Sequence, residues 1–213
     1  LSNYDLFDKI IMPSHLPVLQ PGIQVDYVEG IPTPLTHEDL RIESAKELGA
    51  MDFDGYGIGG TFSKADIIGI LKKVNEILPQ EKPRHLLGIG EPEDMFIGVE
   101  AGIDTFDCVV PTRNGRNGTV YTSTGKFSIE RAEYATDLSP IDPKCGCRVC
   151  ATYTKSYIHH LFRSKEMLGM VLASMHNMYF LAHLTASMRV SIAEGRFFEF
   201  KESFLAAYRG TVA

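Results

Sequence analysis

From residue 37 to residue 110 the chain alternates between two periodicities. Leu40, Ile42, Ala45 and Leu48 recur at the spacing of one helix face over His37 to Leu48, with Thr36 as N-cap and Asp39 at the capping-box position. Phe53 to Gly60 then reads as a strand ending in glycines. After Ser63, a second cap, Ile67, Ile68, Leu71, Val74 and Leu78 form a stripe at helical spacing, stopped by Pro79. His85 to Ile89 predicts a short buried strand. Pro92 opens a helix to Ala101 from a first-turn position that tolerates proline. Thr105 to Val110 predicts a further strand. Helix and strand alternating with short connections are the pattern of a parallel sheet or barrel.

Beyond this point the rhythm changes. Thr119–Thr122 and Lys126–Ile129 flank Ser123-Thr124-Gly125 as a hairpin. A turn-rich stretch follows, then long helical patterns from Ser156 to Glu194 and a last helix from Phe197 to Tyr208 after Gly195. The start of the chain is different again. Pro13, Pro17, Pro21, Pro32 and Pro34 exclude long helices there, and Gln24 to Val28 alternates like a strand.

Composition narrows the function classes. The chain has 213 residues, 44% of them hydrophobic, as in ordinary globular proteins. No apolar run approaches the ~20 residues of a membrane span. Leu1-Ser2-Asn3-Tyr4-Asp5 lacks the basic-then-apolar pattern of a secretory signal, so a cytoplasmic location is expected. No methionine opens the chain, and the expectation is a piece of a longer one. The net charge of −6 means that any nucleic-acid contact must rest on a local basic patch.

One stretch concentrates candidate chemistry. Phe106 to Gly118 is an apolar strand ending in Asp107, then Pro111 and a loop with Arg113, Asn114, Arg116 and Asn117. A strand-fixed carboxylate beside arginines suits attack on an electrophile carried by a polyanion. The plainer alternative is that Asp107 caps a turn and the arginines are solvated. The strand ends Gly59-Gly60, Gly88-Ile89-Gly90 and Asp107 would share one face of a parallel barrel, where flat ligands approach glycine closely. Turn geometry alone explains each glycine equally well. Gly88-Ile89-Gly90-Glu91-Pro92 lacks the third glycine of a dinucleotide loop.

Cys145, Cys147 and Cys150 form C-x-C-x-x-C. With no secretory signal, clustered thiols indicate a metal site rather than disulfides. Three thiolates and one imidazole fill the closed tetrahedral shell of a structural Zn²⁺. His176, in the helical run, is the chosen fourth ligand, with His159, His160 and His183 competing.

Together these motifs resemble the tRNA-guanine transglycosylases (queuine tRNA-ribosyltransferases) of bacterial type. The matching stretches are Asp54 to Gly60, Gly88 to Asp94, Gly102 to Arg113, Asn117-Gly118, the cysteine cluster with its histidine, and Tyr157 to Leu161. The resemblance runs from Asp39 to the C-terminus and covers the C-terminal half of a family member. It implies exchange of guanine at the tRNA anticodon wobble position for a 7-deazaguanine, preQ1 or queuine, through a covalent intermediate. By motif, Asp107 is the nucleophile. Gly59, Gly60, Thr61 and Ser63 line the base pocket. Gly88, Ile89, Gly90, Glu91, Pro92, Glu93 and Asp94 contact tRNA, and Thr112, Arg113, Asn114, Gly115 and Arg116 recognise the wobble base. Cys145, Cys147, Cys150 and His176 hold the zinc. The implied fold is the C-terminal part of a (β/α)8 barrel with a zinc-binding subdomain and C-terminal helices, α/β in class. The expected partner is a second copy, as a homodimer, or a complementary N-terminal half. The implied division is an unassigned segment 1–38, a partial barrel 39–118 with the catalytic strand and loop, and a hairpin, zinc and helical region 119–213.

The chain also departs from the family. Nothing in residues 1–38 matches the Asp-Ser-Gly motif whose aspartate handles protons. Val28-Glu29-Gly30 stands nearest the expected Val-Gln-Gly, and Thr61-Phe62-Ser63-Lys64 replaces Leu-Ala-Val-Gly. These departures admit a piece of a longer enzyme, a split half, or a non-catalytic homologue that binds tRNA or a partner. Ser63 is either the cap of its helix or a small polar residue that opens the pocket to queuine.

Overall fold

The computed structural model describes residues 37–51, 53–59 and 67–210. The strand expected at 24–28 and the caps Thr36 and Ser63 lie outside them. Three helix–strand units come first: α1 (His37–Gly49), β1 (Tyr56–Ile58), α2 (Ile67–Ile77), β2 (Arg84–Leu86), α3 (Pro92–Glu100) and β3 (Thr105–Phe106). The strands form one parallel sheet in the order β1-β2-β3. In register, Gly57 pairs with His85 and His85 with Thr105.

Strand alternation divides the sheet into two faces. Tyr56, Ile58 and Leu86 pack against Ile67, Ile70, Leu71 and Val74 of α2 in one core. Burying a residue such as Leu71 stabilises by about 2 kcal/mol. Gly57, His85 and Thr105 therefore lie on the opposite face, which is open. Arg84 points to the helix side, and there its Nε lacks a hydrogen-bond partner among the described residues while its Nη2 is well supplied. Its Nη2 donates to the carbonyls of Asn75, Leu78 and Pro79 at 3.0–3.2 Å, where α2 ends and its last carbonyls have no helical partner.

One expectation is corrected. The strand predicted over 105–110 stops at Phe106, and the supposed arginine loop is helix α4 (Val110–Arg116). Val109 and Val110 look strand-like, but Pro111 sits in the first turn of a helix, where its missing N–H costs nothing. Tertiary packing decides the outcome. A Cβ on Gly115 would lie 2.6 Å from the backbone nitrogen of Ser174, so α4 meets the next long helix backbone to backbone.

The remainder is hairpin β4 (Thr119–Thr122) and β5 (Gly125–Ser128), a 3-10 turn at Ala132–Thr136, and helices α5 (Arg148–Thr152), α6 (Lys155–Arg163), α7 (Met167–Ala193) and α8 (Phe197–Tyr208). The long helical patterns expected over 156–194 are α6 and α7. They break where Lys165 takes a left-handed φ of 57°. Val120, Ile129, Ile141, Val149, Ile158, Leu161 and Leu172 form a second core under the cysteine stretch. A third core joins α3 to α7 and α8. Its centre is Phe96, fully buried, with the Phe204 ring centroid 5.3 Å away.

Asn177, fully buried in α7, stitches these parts together. Its Nδ2 donates to the carbonyls of Pro111 and Thr119 at 3.0 and 2.9 Å, and its Oδ1 accepts from Tyr121 N at 3.0 Å. Asn177→Ala removes three hydrogen bonds to backbone groups of α4 and the hairpin. The expected loss is about 3 kcal/mol or more, read as a lower urea midpoint at unchanged slope. An unchanged midpoint would show that water replaces the amide there.

Candidate functional site

The site is built on the open face of the parallel sheet. Asp107 follows β3 directly, and its side chain is 61% exposed. Two neighbours hold one of its oxygens. Gly88 N donates to Oδ1 at 3.2 Å, and His85 Nε2 lies 3.1 Å from the same oxygen. His85 Nδ1 is 2.8 Å from Thr105 Oγ1. The row Thr105–His85–Asp107 therefore follows from strand register, because alternate residues of β2 and β3 share a face.

Glycines set the backbone around this carboxylate. Gly88 takes φ 74°, which turns its N–H toward Asp107. A Cβ on Gly90 would lie 2.4 Å from Cys108 Cβ, so the loop after β2 rests directly on the end of β3. Burial raises the Cys108 thiol above its usual pKa, which keeps it protonated beside the aspartate. At the sheet edge, Gly59 would collide with Leu87 if it carried a Cβ, at 2.8 Å, and its carbonyl accepts from Arg41 Nη1 at 2.6 Å. Gly60, Thr61 and Ser63 lie outside the described residues. A cleft of about 440 Å³ between α1 and β1 reaches Gly57 and Gly59 but not Asp107.

The two stretches read as RNA-contacting are placed differently from each other. Gly88, Ile89 and Gly90 form the β2–α3 loop, and Pro92 is buried at the first turn of α3. Glu91 occupies the N-cap position of α3 without a side-chain capping bond, and Glu93 and Asp94 lie in its first turn, where the helix dipole favours carboxylates. Glu91 pairs with Lys126 at 3.2 Å and Glu93 with Arg209 at 2.6 Å, tying α3 to the hairpin and to the end of α8. In α4, Arg113 and Arg116 are exposed, and Thr112 is half-buried with its hydroxyl donating to Val109 O at 3.1 Å. Arg113 and Arg116 are three residues apart and share one helix face. Asn114 and Gly115 turn inward. Asn114 Nδ2 donates to Tyr121 Oη at 2.9 Å, and Gly115 forms the crossing with α7.

The cysteine cluster closes on His176. Its Nδ1 lies 3.4 Å from the sulfurs of Cys147 and Cys150 and 3.8 Å from that of Cys145. All four ligand atoms fall within 4.8 Å of one another. Standard Zn–S and Zn–N bond lengths give a tetrahedron with edges of about 3.5–3.8 Å, close to the three distances from His176 Nδ1 to the sulfurs. The outer contacts agree. His176 Nε2 is 2.7 Å from Tyr121 O, a donation that leaves Nδ1 free of its proton and able to ligate. Cys145 and Cys150 share one hydrogen bond, which draws the Cys145 thiol down and pushes the Cys150 thiol up. The competing histidines are engaged elsewhere or turned away. His159 Nδ1 meets Ile129 O at 2.8 Å, His183 stacks on Tyr179, and His160 is exposed. Cys145, Cys147, Cys150 and His176 are thus brought together as a four-ligand group that could hold a metal ion.

Comparison with known proteins decides the kinship. The family model described as queuine tRNA-ribosyltransferase matches residues 25–210. The chain belongs to the queuine tRNA-ribosyltransferase family. Its similarity to the family member from Nitratidesulfovibrio vulgaris is 47% identity over 174 residues, 80% of this chain and 46% of that one. The Caldanaerobacter subterraneus queuine tRNA-ribosyltransferase is 48% identical over 178 residues, 82% of this chain and 48% of its own length. That of Francisella tularensis is 46% identical over 176 residues, 81% and 48% respectively. The chain thus spans about half the length of the curated relatives it matches.

Within this chain, two residues of the site escaped the sequence reading. His85 was assigned only to a buried strand, and its partnership with Asp107 needs the strand register. Asn177 directly follows the ligand His176 in an apolar helix, and a polar residue so placed was the available signal.

Proposed function

We propose that this chain is the C-terminal half of a tRNA-guanine transglycosylase. It would supply the last helix–strand units of a (β/α)8 barrel and a zinc-binding subdomain, in the cytoplasm, as a homodimer or with a complementary N-terminal half. The observation that carries the reading is Asp107, presented on the open sheet face with one oxygen held and the other without a hydrogen bond among the described residues. A carboxylate is an adequate nucleophile toward an anomeric carbon without an activating base.

In this reading Asp107 Oδ2 donates an electron pair to ribose C1′ of the wobble nucleotide. The C1′–N9 bond breaks, its electron pair leaves on guanine N9, and that nitrogen takes a proton from solvent. The incoming preQ1 or queuine then gives its N9 proton to solvent and attacks C1′ through N9, and the Oδ2–C1′ bond breaks with its electron pair returning to Asp107 as carboxylate. A wobble base in a loop is unstacked at little cost, which suits chemistry on a base that must leave its stack. Gly59, Gly60, Thr61 and Ser63 would flank the planar base. Gly88 to Asp94 would approach tRNA mainly through backbone, since Glu91 and Glu93 already pair with cations. Thr112, Arg113 and Arg116 would face the wobble nucleotide and its phosphates, with Asn114 and Gly115 holding α4 in place. Cys145, Cys147, Cys150 and His176 would hold a zinc whose closed shell would staple the cysteine loop to α7 and so steady the helix that α4 crosses.

The test is incorporation of labelled guanine into tRNA. The chain combined with the N-terminal half of a family enzyme is expected to exchange guanine, and the 213 residues alone are not. Exchange by the isolated chain would show that the half barrel is sufficient. No exchange by an assembled, folded complex would count against the enzymatic reading.

A further inference from the structure

The hydrogen-bond chain Thr105–His85–Asp107 has a direction. A carboxylate only accepts hydrogen bonds, so the 3.1 Å contact between His85 Nε2 and Asp107 Oδ1 requires the proton on Nε2. A neutral ring then has a bare Nδ1, and the Thr105 hydroxyl, 2.8 Å away, must donate to it. Threonine can donate or accept, so the carboxylate sets the tautomer and threonine follows. Gly88 N–H is a second donor to the same Oδ1 at 3.2 Å. Both donors address one oxygen, and the structure shows no hydrogen bond to Oδ2 among the described residues.

We infer that His85 is the positioning residue of the nucleophile: with Gly88 N–H it fixes Oδ1, leaves Oδ2 as the attacking oxygen, and supports the carboxylate when it leaves. The inference rests on the base-exchange reading given above. In the first half-reaction Oδ2 bonds to C1′ and Oδ1 becomes the carbonyl oxygen of an ester. In the second, the Oδ2–C1′ bond breaks and its electron pair returns to the carboxylate. Hydrogen bonds to an ionised oxygen are roughly twice as strong as those to a neutral one. The donors on Oδ1 therefore favour the carboxylate over the ester and assist release of the intermediate. His85 thus differs from the histidine of a hydrolytic triad, because it takes no proton from its nucleophile.

Two measurements on the whole chain and its assembled complex test this. The first is 15N NMR of the His85 ring at a pH where imidazole is neutral. The expected result is the Nε2–H form in the wild type and a mixture of both tautomers in Asp107→Ala. An Nδ1–H form in the wild type, or an unchanged tautomer in Asp107→Ala, overturns the inference. The second is exchange kinetics in the assembled enzyme. His85→Phe is expected to lower kcat about 10- to 100-fold at unchanged tRNA KM, with more enzyme trapped as the RNA adduct. His85→Gln places an amide N–H where Nε2 stood and is expected to restore most of the rate. Equal kcat for His85→Phe and wild type, or equal losses in Phe and Gln, overturns the inference. Loss of exchange in the wild-type complex with the tautomer intact overturns the base-exchange reading and leaves the His85–Asp107 pairing standing.

Discussion

Asp107→Asn is expected to abolish base exchange in the assembled enzyme, by about 10⁴-fold or more, while tRNA binding stays nearly unchanged. The substitution preserves shape. Asparagine Oδ1 still accepts from Gly88 N–H and His85 Nε2–H, so the local structure is retained. What is lost is the charge and lone-pair reactivity of Oδ2, since an amide nitrogen does not attack an anomeric carbon. Stability should hardly change, because the side chain is 61% exposed and faces no apolar core. Gel-shift affinity and guanine exchange, measured on the same preparations, separate the two effects. A variant that binds tRNA normally and still exchanges guanine would remove Asp107 from the mechanism.

Cys147→Ala is expected to unfold the region from the hairpin to α7. Cys147 is buried, caps α5, and its sulfur accepts from Cys150 N at 3.3 Å as well as facing His176. Structural zinc contributes about 10–16 kcal/mol of apparent binding free energy, comparable to the whole stability of a domain. The loss should therefore exceed what a buried Ala substitution costs on its own. Wild-type protein should carry one zinc per chain by elemental analysis, and Cys108→Ala, outside the cluster, should keep it. The thiolates must be protonated for the metal to leave, so zinc release and unfolding should coincide as pH falls. Protein folded normally with no stoichiometric zinc would contradict the assignment.

The βα alternation was legible because α2 carries an unbroken apolar stripe and glycines stand just beyond its flanking strands. The end of β3 was not. Val109-Val110 resembles strand, and only the close crossing of Gly115 on Ser174 makes that segment helical. The cysteine spacing announced a metal, but residue spacing alone could not choose among four histidines. His176 is distinguished by its burial and by the Tyr121 carbonyl that fixes its tautomer, both products of tertiary packing. Asp107 stood out as a carboxylate at a strand end. His85 did not, since its role depends on a register between strands that are 20 residues apart in sequence. The pair Arg113 and Arg116 was correctly seen as basic, but helix geometry was needed to separate them from the inward-facing Asn114 and Gly115.

The central claim is that Asp107 bonds covalently to ribose. Its most direct test is to quench the assembled enzyme during exchange with tRNA, digest the protein and the RNA, and locate the modified peptide by mass spectrometry. The account predicts a nucleotide-bearing peptide containing Thr105 to Arg113, with the added mass on Asp107 and no adduct in Asp107→Asn. An adduct mapped to any other residue, or active exchange with no trapped adduct, would contradict it.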